Sequence, residues 1–193
     1  MIPYIGLTGG IGAGKSTALQ ALERLGARCL STDRVVHELY ASPEVQATVV
    51  ERFGPSVLAG GEIDRAALAR LAFATDADRA WLEGLLWPRV GERVITWRDA
   101  MRLLSPPPRA AVVEVPLLFE SGLDRGYDAT IAVIADEDVR AQRAGARGHA
   151  ALAERSARQL TQEEKSQRAT FTVVNDGTEA ALEEKLSAIL DKL

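Results

Sequence analysis

A single cysteine, Cys29, stands in a chain of 193 residues, which leaves no internal disulfide and suits a reducing compartment, the cytoplasm. Within the apolar stretch Arg28-Cys29-Leu30-Ser31 it reads as a small core residue, not a nucleophile. Histidine is nearly absent too: His37 and His149 are isolated and read as incidental surface or helix residues. There is no excess of positive charge, since the net charge is −4 and the pI about 5.3, so no global basic field exists to hold nucleic acid. No uninterrupted apolar run approaches bilayer length, and no charged n-region with an apolar core opens the chain. The expectation is therefore a protein without a membrane span or secretory leader. Lysine is scarce, 4 against 19 arginines, which reads as compositional bias except where arginines cluster. Internal repeats and low-complexity tracts are lacking. What is present, 47% apolar and 26% charged residues, is the composition of a soluble globular protein. The length allows one core with a small appended subdomain, expected to act as a monomer or weak homo-oligomer.

Against this plain background one run stands out, Gly9-Gly10-Ile11-Gly12-Ala13-Gly14-Lys15-Ser16-Thr17. It fits Gly, four residues, Gly-Lys-Ser/Thr at every defined position, the Walker A phosphate-binding pattern. Glycines let backbone amides curl around a phosphate chain at close range. Lys15 supplies an ammonium for the β- and γ-phosphates, and the Ser16 hydroxyl supplies a ligand for Mg²⁺. The context agrees. Ile2–Leu7 reads as a buried strand, and Ser16 to Leu25 places apolar residues 18, 19, 22 and 25 on one helical face before Gly26 stops it. The helix N-terminus adds positive potential to the anion site. Residues Gly12, Ala13, Gly14, Lys15, Ser16 and Thr17 are thus expected to hold ATP with Mg²⁺.

Four further apolar runs predict strands: 27–31, 110–115, 129–134 and 171–175, mostly apolar on both faces as in a parallel sheet covered by helices. Between the second and third strands lie nearly 80 residues, more than one crossover helix requires. Ser42-Pro43 starts a helix there, Phe53-Gly54-Pro55 and Gly60-Gly61 break the chain, and a long helical pattern runs through Trp81, Leu85, Val90, Val94, Trp97 and Met101 until Pro106-Pro107-Pro108. Residues 40–107 are therefore expected to form a helical insertion, with Trp81, Trp87 and Trp97 packing it. A second insertion, 137–168, is charged and helical in pattern, with Arg140, Arg143, Arg147, Arg155, Arg158 and Arg168 and little to anchor it to a core. Two readings stay open for it, a lid closing over phosphates and a solvated helix pair with its arginines facing water.

No Asn-Lys-x-Asp occurs, which sets aside GTPase switches; a loop near the chain start, a helical wall after the second strand and an arginine-rich segment after the fourth are the layout of a small-molecule kinase. The motifs then become specific. Gly6 to Ser16 reads Gly-Leu-Thr-Gly-Gly-Ile-Gly-Ala-Gly-Lys-Ser; Ser31-Thr32-Asp33 follows the second strand; Gly61, Ile63, Asp64, Arg65 and Leu68 form one spaced set. Leu82-Glu83-Gly84-Leu85-Leu86-Trp87-Pro88 and Glu114-Val115-Pro116-Leu117-Leu118-Phe119-Glu120 form two more, with Arg143, Arg147, Arg155, Gln159, Lys165 and Asn175-Asp176-Gly177 downstream. Across nearly the whole chain these resemble the dephospho-coenzyme A kinase family. Departures are Ala13 for Ser, Ser31 for the first Asp of Asp-Ala-Asp, Trp87 for His, and Glu114 for Asp.

The resemblance implies a P-loop kinase fold in the α/β class: a single domain, 1–193, with a parallel five-stranded sheet flanked by helices. Its core is 1–39, 108–136 and 169–193, with a helical acceptor-binding insertion (40–107) and a helical lid (137–168). It also implies transfer of the ATP γ-phosphoryl group to the ribose 3′-hydroxyl of dephospho-CoA, the last step of coenzyme A synthesis. Asp33 is then the expected base or orienting carboxylate, although by pattern alone it reads as a helix N-cap. Glu114, at the Walker B position, is expected to hold Mg²⁺ directly or through water. Arg143 and Arg147 are expected to stabilise transition-state charge or pack on adenine, and Asn175, Asp176 and Gly177 to lie near the ATP base. Pro116, Leu117, Leu118, Phe119 and Glu120 are expected to line the acceptor pocket, with core packing open for Leu117, Leu118 and Phe119. Trp87 stacking on the acceptor's adenine is open beside simple packing. Two other classes remain open: a different P-loop small-molecule or nucleotide kinase, and a nucleotide-binding regulator that hydrolyses ATP slowly.

Overall fold

A computed structural model describes residues 1–145 and 159–193. In chain order these form β1 (Tyr4–Gly9), α1 (Lys15–Arg24), β2 (Arg28–Ser31), α2 (Thr32–Tyr40), α3 (Pro43–Phe53), a hairpin of β3 (Leu58–Ala59) and β4 (Glu62–Ile63), α4 (Arg65–Ala72), α5 (Asp76–Met101), β5 (Ala111–Glu114), β6 (Ala129–Ile134), α6 (Glu137–Gly145), α7 (Gln162–Arg168), β7 (Phe171–Val174) and α8 (Glu179–Leu190). Among the described residues no helix is long and apolar enough to cross a membrane. The chain divides into two compact units, residues 1–31 with 98–193, and residues 32–97.

The first unit holds the expected parallel five-stranded sheet, in the order β2-β5-β1-β6-β7. Every residue of β1 and β5 is buried, which is why these strands read as continuous apolar runs without alternation. β1 begins two residues later than the apolar pattern predicts and runs on through Thr8 and Gly9, which pair with Ala132 and Val133 of β6. The first glycine of the phosphate motif is therefore sheet, and the loop springs directly from it. Ala18, Ala21 and Leu22 of α1 and Leu182, Leu186, Ile189 and Leu190 of α8 bury against Ile5, Leu7, Val112, Ile131, Val133 and Val173. Each leucine, isoleucine or valine among them contributes about 2 kcal/mol relative to exposure.

In β2, the Cys29 thiol donates to the Leu19 carbonyl at 3.6 Å. Burial, with the Glu23 charge second, pushes this thiol up from 9.0 to about 12. Between those values the native chain keeps a proton that the unfolded chain has released. Stability is thus fully present below pH 9.0 and falls as pH rises toward about 12. Native Cys29 is expected to resist iodoacetamide at neutral pH and to alkylate on unfolding, with a lower Tm at about pH 10.5 than at about pH 8. Equal alkylation rates with and without urea contradict this.

The second unit is built by explicit start and stop signals. Ser42 caps α3, with Pro43 at its first turn, and Asp64 caps α4 by accepting from the Ala66 and Ala67 amides at 2.9 and 3.1 Å. Gly60 and Gly61, expected only as chain breakers, form the two-residue turn of the β3–β4 hairpin with φ of 62° and 87°, as a primed turn requires. Trp81 packs edge-on against Phe53 with ring centroids 5.5 Å apart. Trp87 departs from the packing expectation, being 57% exposed. α5 continues through Pro88, whose ring removes a backbone donor from that turn. Pro88 offers no amide to the Gly84 carbonyl, and the Arg89 guanidinium donates to the neighbouring Leu85 carbonyl at 2.9 Å.

Candidate active site

Gly9, Ser31 and Glu114 are the last residues of β1, β2 and β5, so all three lie at the carboxyl edge of the sheet, where open α/β sheets bind ligands. From that edge the chain turns through Gly10 to Gly14 into α1. Gly14 is the N-cap, at φ 92°, and no side chain caps the helix. A helix N-terminus suits an anion, with the helix dipole behind it. Lys15 Nζ donates to the carbonyls of Gly9 at 2.9 Å and Gly10 at 3.2 Å, which ties the ammonium to the loop.

The loop is braced by residues that follow β6 and β7. Asn175, at the end of β7 and only 5% exposed, donates from Nδ2 to the Ala13 carbonyl at 2.9 Å. A Cβ on Gly14 would stand 2.1 Å from that same nitrogen, so the two positions are fitted to each other. Arg143 Nη1 donates to the Asn175 carbonyl at 3.1 Å, and Arg140 Nε donates to the Ile11 carbonyl at 3.0 Å. These two arginines of α6 therefore contact the loop and its support instead of pointing to water. Asp176 accepts the Asp136 amide at 2.7 Å and so joins the ends of β6 and β7. The structure thus gathers Ala13, Gly14, Lys15, Arg143 and Asn175 in one place. Arg140 was not singled out by the sequence, although its spacing of three from Arg143 puts the two on one helical face.

Glu114 is a buried carboxylate, 7% exposed, in register with Leu7 on one side and Ser31 on the other. Ser31 Oγ donates to its Oε2 at 2.5 Å, a charge-assisted length. The serine that replaces the family aspartate thus orients the glutamate beside it, where a second carboxylate would repel. Asp33 is exposed in the first turn of α2, which begins at Thr32, so it lies inside the helix and is not its N-cap.

The segment after β5 is mixed in character. Leu118 and Phe119 are buried core residues, while Pro116 and Leu117 are half-buried. Glu120, expected at the acceptor pocket, is instead committed inward: its Oε1 pairs with Lys165 Nζ at 2.9 Å and accepts the Leu160 amide at 2.8 Å. Lys165 is fully buried, which corrects the expectation that little in 137–168 is anchored to a core. Gln162 adds to the anchor, exchanging hydrogen bonds with both backbone groups of Ala135 at 2.8 and 2.9 Å. Arg147, His149, Arg155 and Arg158 lie outside the described residues.

Comparison with known proteins gives a consistent picture. A family profile described as dephospho-CoA kinase matches residues 3–181. A dephospho-CoA kinase of Deinococcus radiodurans is 41% identical over 192 residues, covering 98% of this chain and 91% of that protein. The crystal structure of TT1252 from Thermus thermophilus superposes with a TM-score of 0.80 at 33% identity, over 100% of this chain and 98% of that one. A dephospho-CoA kinase structure from Campylobacter jejuni shares the fold, with a TM-score of 0.66 at 20% identity over 98% and 96% of the two chains.

Proposed function

The chain belongs to the dephospho-CoA kinase family, and on that footing we propose that it transfers the γ-phosphoryl group of ATP to the ribose 3′-hydroxyl of dephospho-CoA, giving CoA and ADP. It is an ATP-dependent kinase. The observation that carries the substrate assignment is the family match from residue 3 to 181, which takes in both the phosphate loop and the Pro116 to Glu120 segment.

Phosphoryl transfer asks a protein for in-line positioning and charge neutralisation. Gly12 to Thr17 hold the triphosphate, with Lys15 against its β- and γ-phosphates. Arg143, with Arg147 beyond the described residues, neutralises charge on the transferring group. Asn175 keeps the loop's curvature through Ala13, while Asp176 and Gly177 lie toward the ATP base. Asp33 orients the acceptor hydroxyl and takes its proton. Pro116 and Leu117 lie on the acceptor side, and the helical segment 40–107 binds the acceptor, with 137–168 as the lid over the phosphates.

The donor set suits Mg²⁺: a hydroxyl at Ser16 and a buried carboxylate at Glu114 are hard oxygen ligands. No cluster of three or more His, Cys, Asp or Glu side chains occurs among the described residues. Mg²⁺ takes one or two protein oxygens and completes its shell with phosphates and water. Bound there, the ion neutralises phosphate charge. We place the activity in the cytoplasm.

The test is ADP release with Mg-ATP and a panel of acceptors. Dephospho-CoA is expected to stimulate release at least about a hundredfold more than nucleoside monophosphates, the discrimination expected of a site built around an acceptor's polar groups. Equal background hydrolysis with every acceptor overturns the assignment.

A further inference from the structure

Lysine is almost never fully buried unless paired, yet Lys165 of α7 is 0% exposed. Its ammonium has three donors, and three acceptors meet it: the Pro116 carbonyl at 2.7 Å, Glu120 Oε1 at 2.9 Å and Thr8 Oγ1 at 3.3 Å. The network closes on itself, because Thr8 Oγ1 in turn donates to the Pro116 carbonyl at 3.2 Å. Burial lowers the ammonium's pKa, and Glu120 acts against that fall. The geometry is informative for what it joins. Thr8 immediately precedes the first glycine of the phosphate motif, and Pro116 follows Glu114 by two residues. Glu120 also holds the Leu160 amide, two residues before α7 begins. Stability alone does not call for such an arrangement, since a well-packed apolar pair of the same volume serves a core as well or better.

We propose that Lys165 is a positioning residue for phosphoryl transfer: it fixes the exit of β5 against the last residues of β1, and so sets where Glu114 stands relative to the phosphate loop. This rests on the kinase reading above, which assigns Glu114 and the loop to one reaction. Lys165 touches no substrate in this account and acts through Pro116 and Thr8.

The experiment separates positioning from mere stability. Lys165→Met leaves the Glu120 carboxylate buried and unpaired, so it is expected to melt far below the wild type. The double variant Lys165→Met with Glu120→Met removes both charges and is expected to recover a Tm near wild type. Its kcat is nevertheless expected to stay about a hundredfold low, the scale of an ångström-sized misplacement, with the KM for ATP within about threefold of wild type. Hydrogen exchange is the second readout: amides of residues 115–121 are expected to exchange at least about tenfold faster in the double variant, while those of α8 are unchanged. A double variant with kcat within about threefold of wild type, or with unchanged exchange at 115–121, overturns the proposal. Wild-type turnover of dephospho-CoA is measured alongside. Its absence counts against the kinase reading, and the exchange data then decide the Lys165 proposal by themselves.

Discussion

Asp33→Asn is expected to lower kcat about a thousandfold, within the range that a general base contributes, while Mg-ATP binding stays within about threefold of wild type. The substitution keeps the size of the side chain and removes its charge and basicity. Stability should barely change, because Asp33 is exposed in the first turn of α2 and caps nothing. The one cost to the helix is loss of a negative charge near its N-terminus, about 0.5 kcal/mol. Steady-state kinetics with both substrates varied, together with titration of a fluorescent ATP analogue, checks the split. Wild-type turnover in this variant would leave Asp33 as a surface helix residue only.

The second large effect is expected at Lys15. Lys15→Met keeps the aliphatic stem and deletes the ammonium, and kcat/KM for ATP is expected to fall about a thousandfold, as when a preorganised electrostatic donor is lost. Two causes add here. The charge that neutralises the phosphates is gone, and so are the hydrogen bonds to the Gly9 and Gly10 carbonyls that help hold the loop's shape. Lys15→Arg is expected to rescue little, since a planar fork does not replace a compact point charge in a glycine cradle. The readout is kcat/KM together with the Kd for ATP; a Lys15→Met enzyme within about tenfold of wild type contradicts the role.

What the sequence made legible was whatever is local. The glycine loop, the run of apolar residues in each sheet strand and the helix after the loop are set by neighbours a few positions apart, and all are present. The errors share one physical origin. Ser31 and Glu114 are 83 positions apart and become partners only through the β2–β5 register, so their hydrogen bond was not readable from either residue. Lys165 was legible as a position of the family pattern, with no sign of its burial. It is buried because Thr8, Pro116 and Glu120, from two other segments, close around it. Glu120 is placed at the acceptor pocket by the family resemblance, and its pairing with Lys165 comes from a distant segment that the motif itself does not show. Trp87 failed in the other direction. Helical spacing with Trp81 suggested a packed face, yet Trp87 is exposed while Trp81 meets Phe53. Arg140 was visible as a charge and invisible as a ligand of the loop, because its acceptor is a backbone carbonyl with no sequence signature.

The strand order also constrains how the chain comes off the ribosome. β1 is the central strand, flanked on both sides by partners that begin only at residues 111 and 129. Its apolar residues and the glycine loop behind it emerge well before those partners and then wait, with both edges unsatisfied. The contiguous unit 32–97, with its own hairpin and capped helices, is continuous in sequence and is the part available to fold meanwhile. Pairings so distant in sequence are slow to form and leave sticky strands open to other chains. For this protein the phosphate-binding strand is therefore the sheet strand left longest without its pairing partners during synthesis.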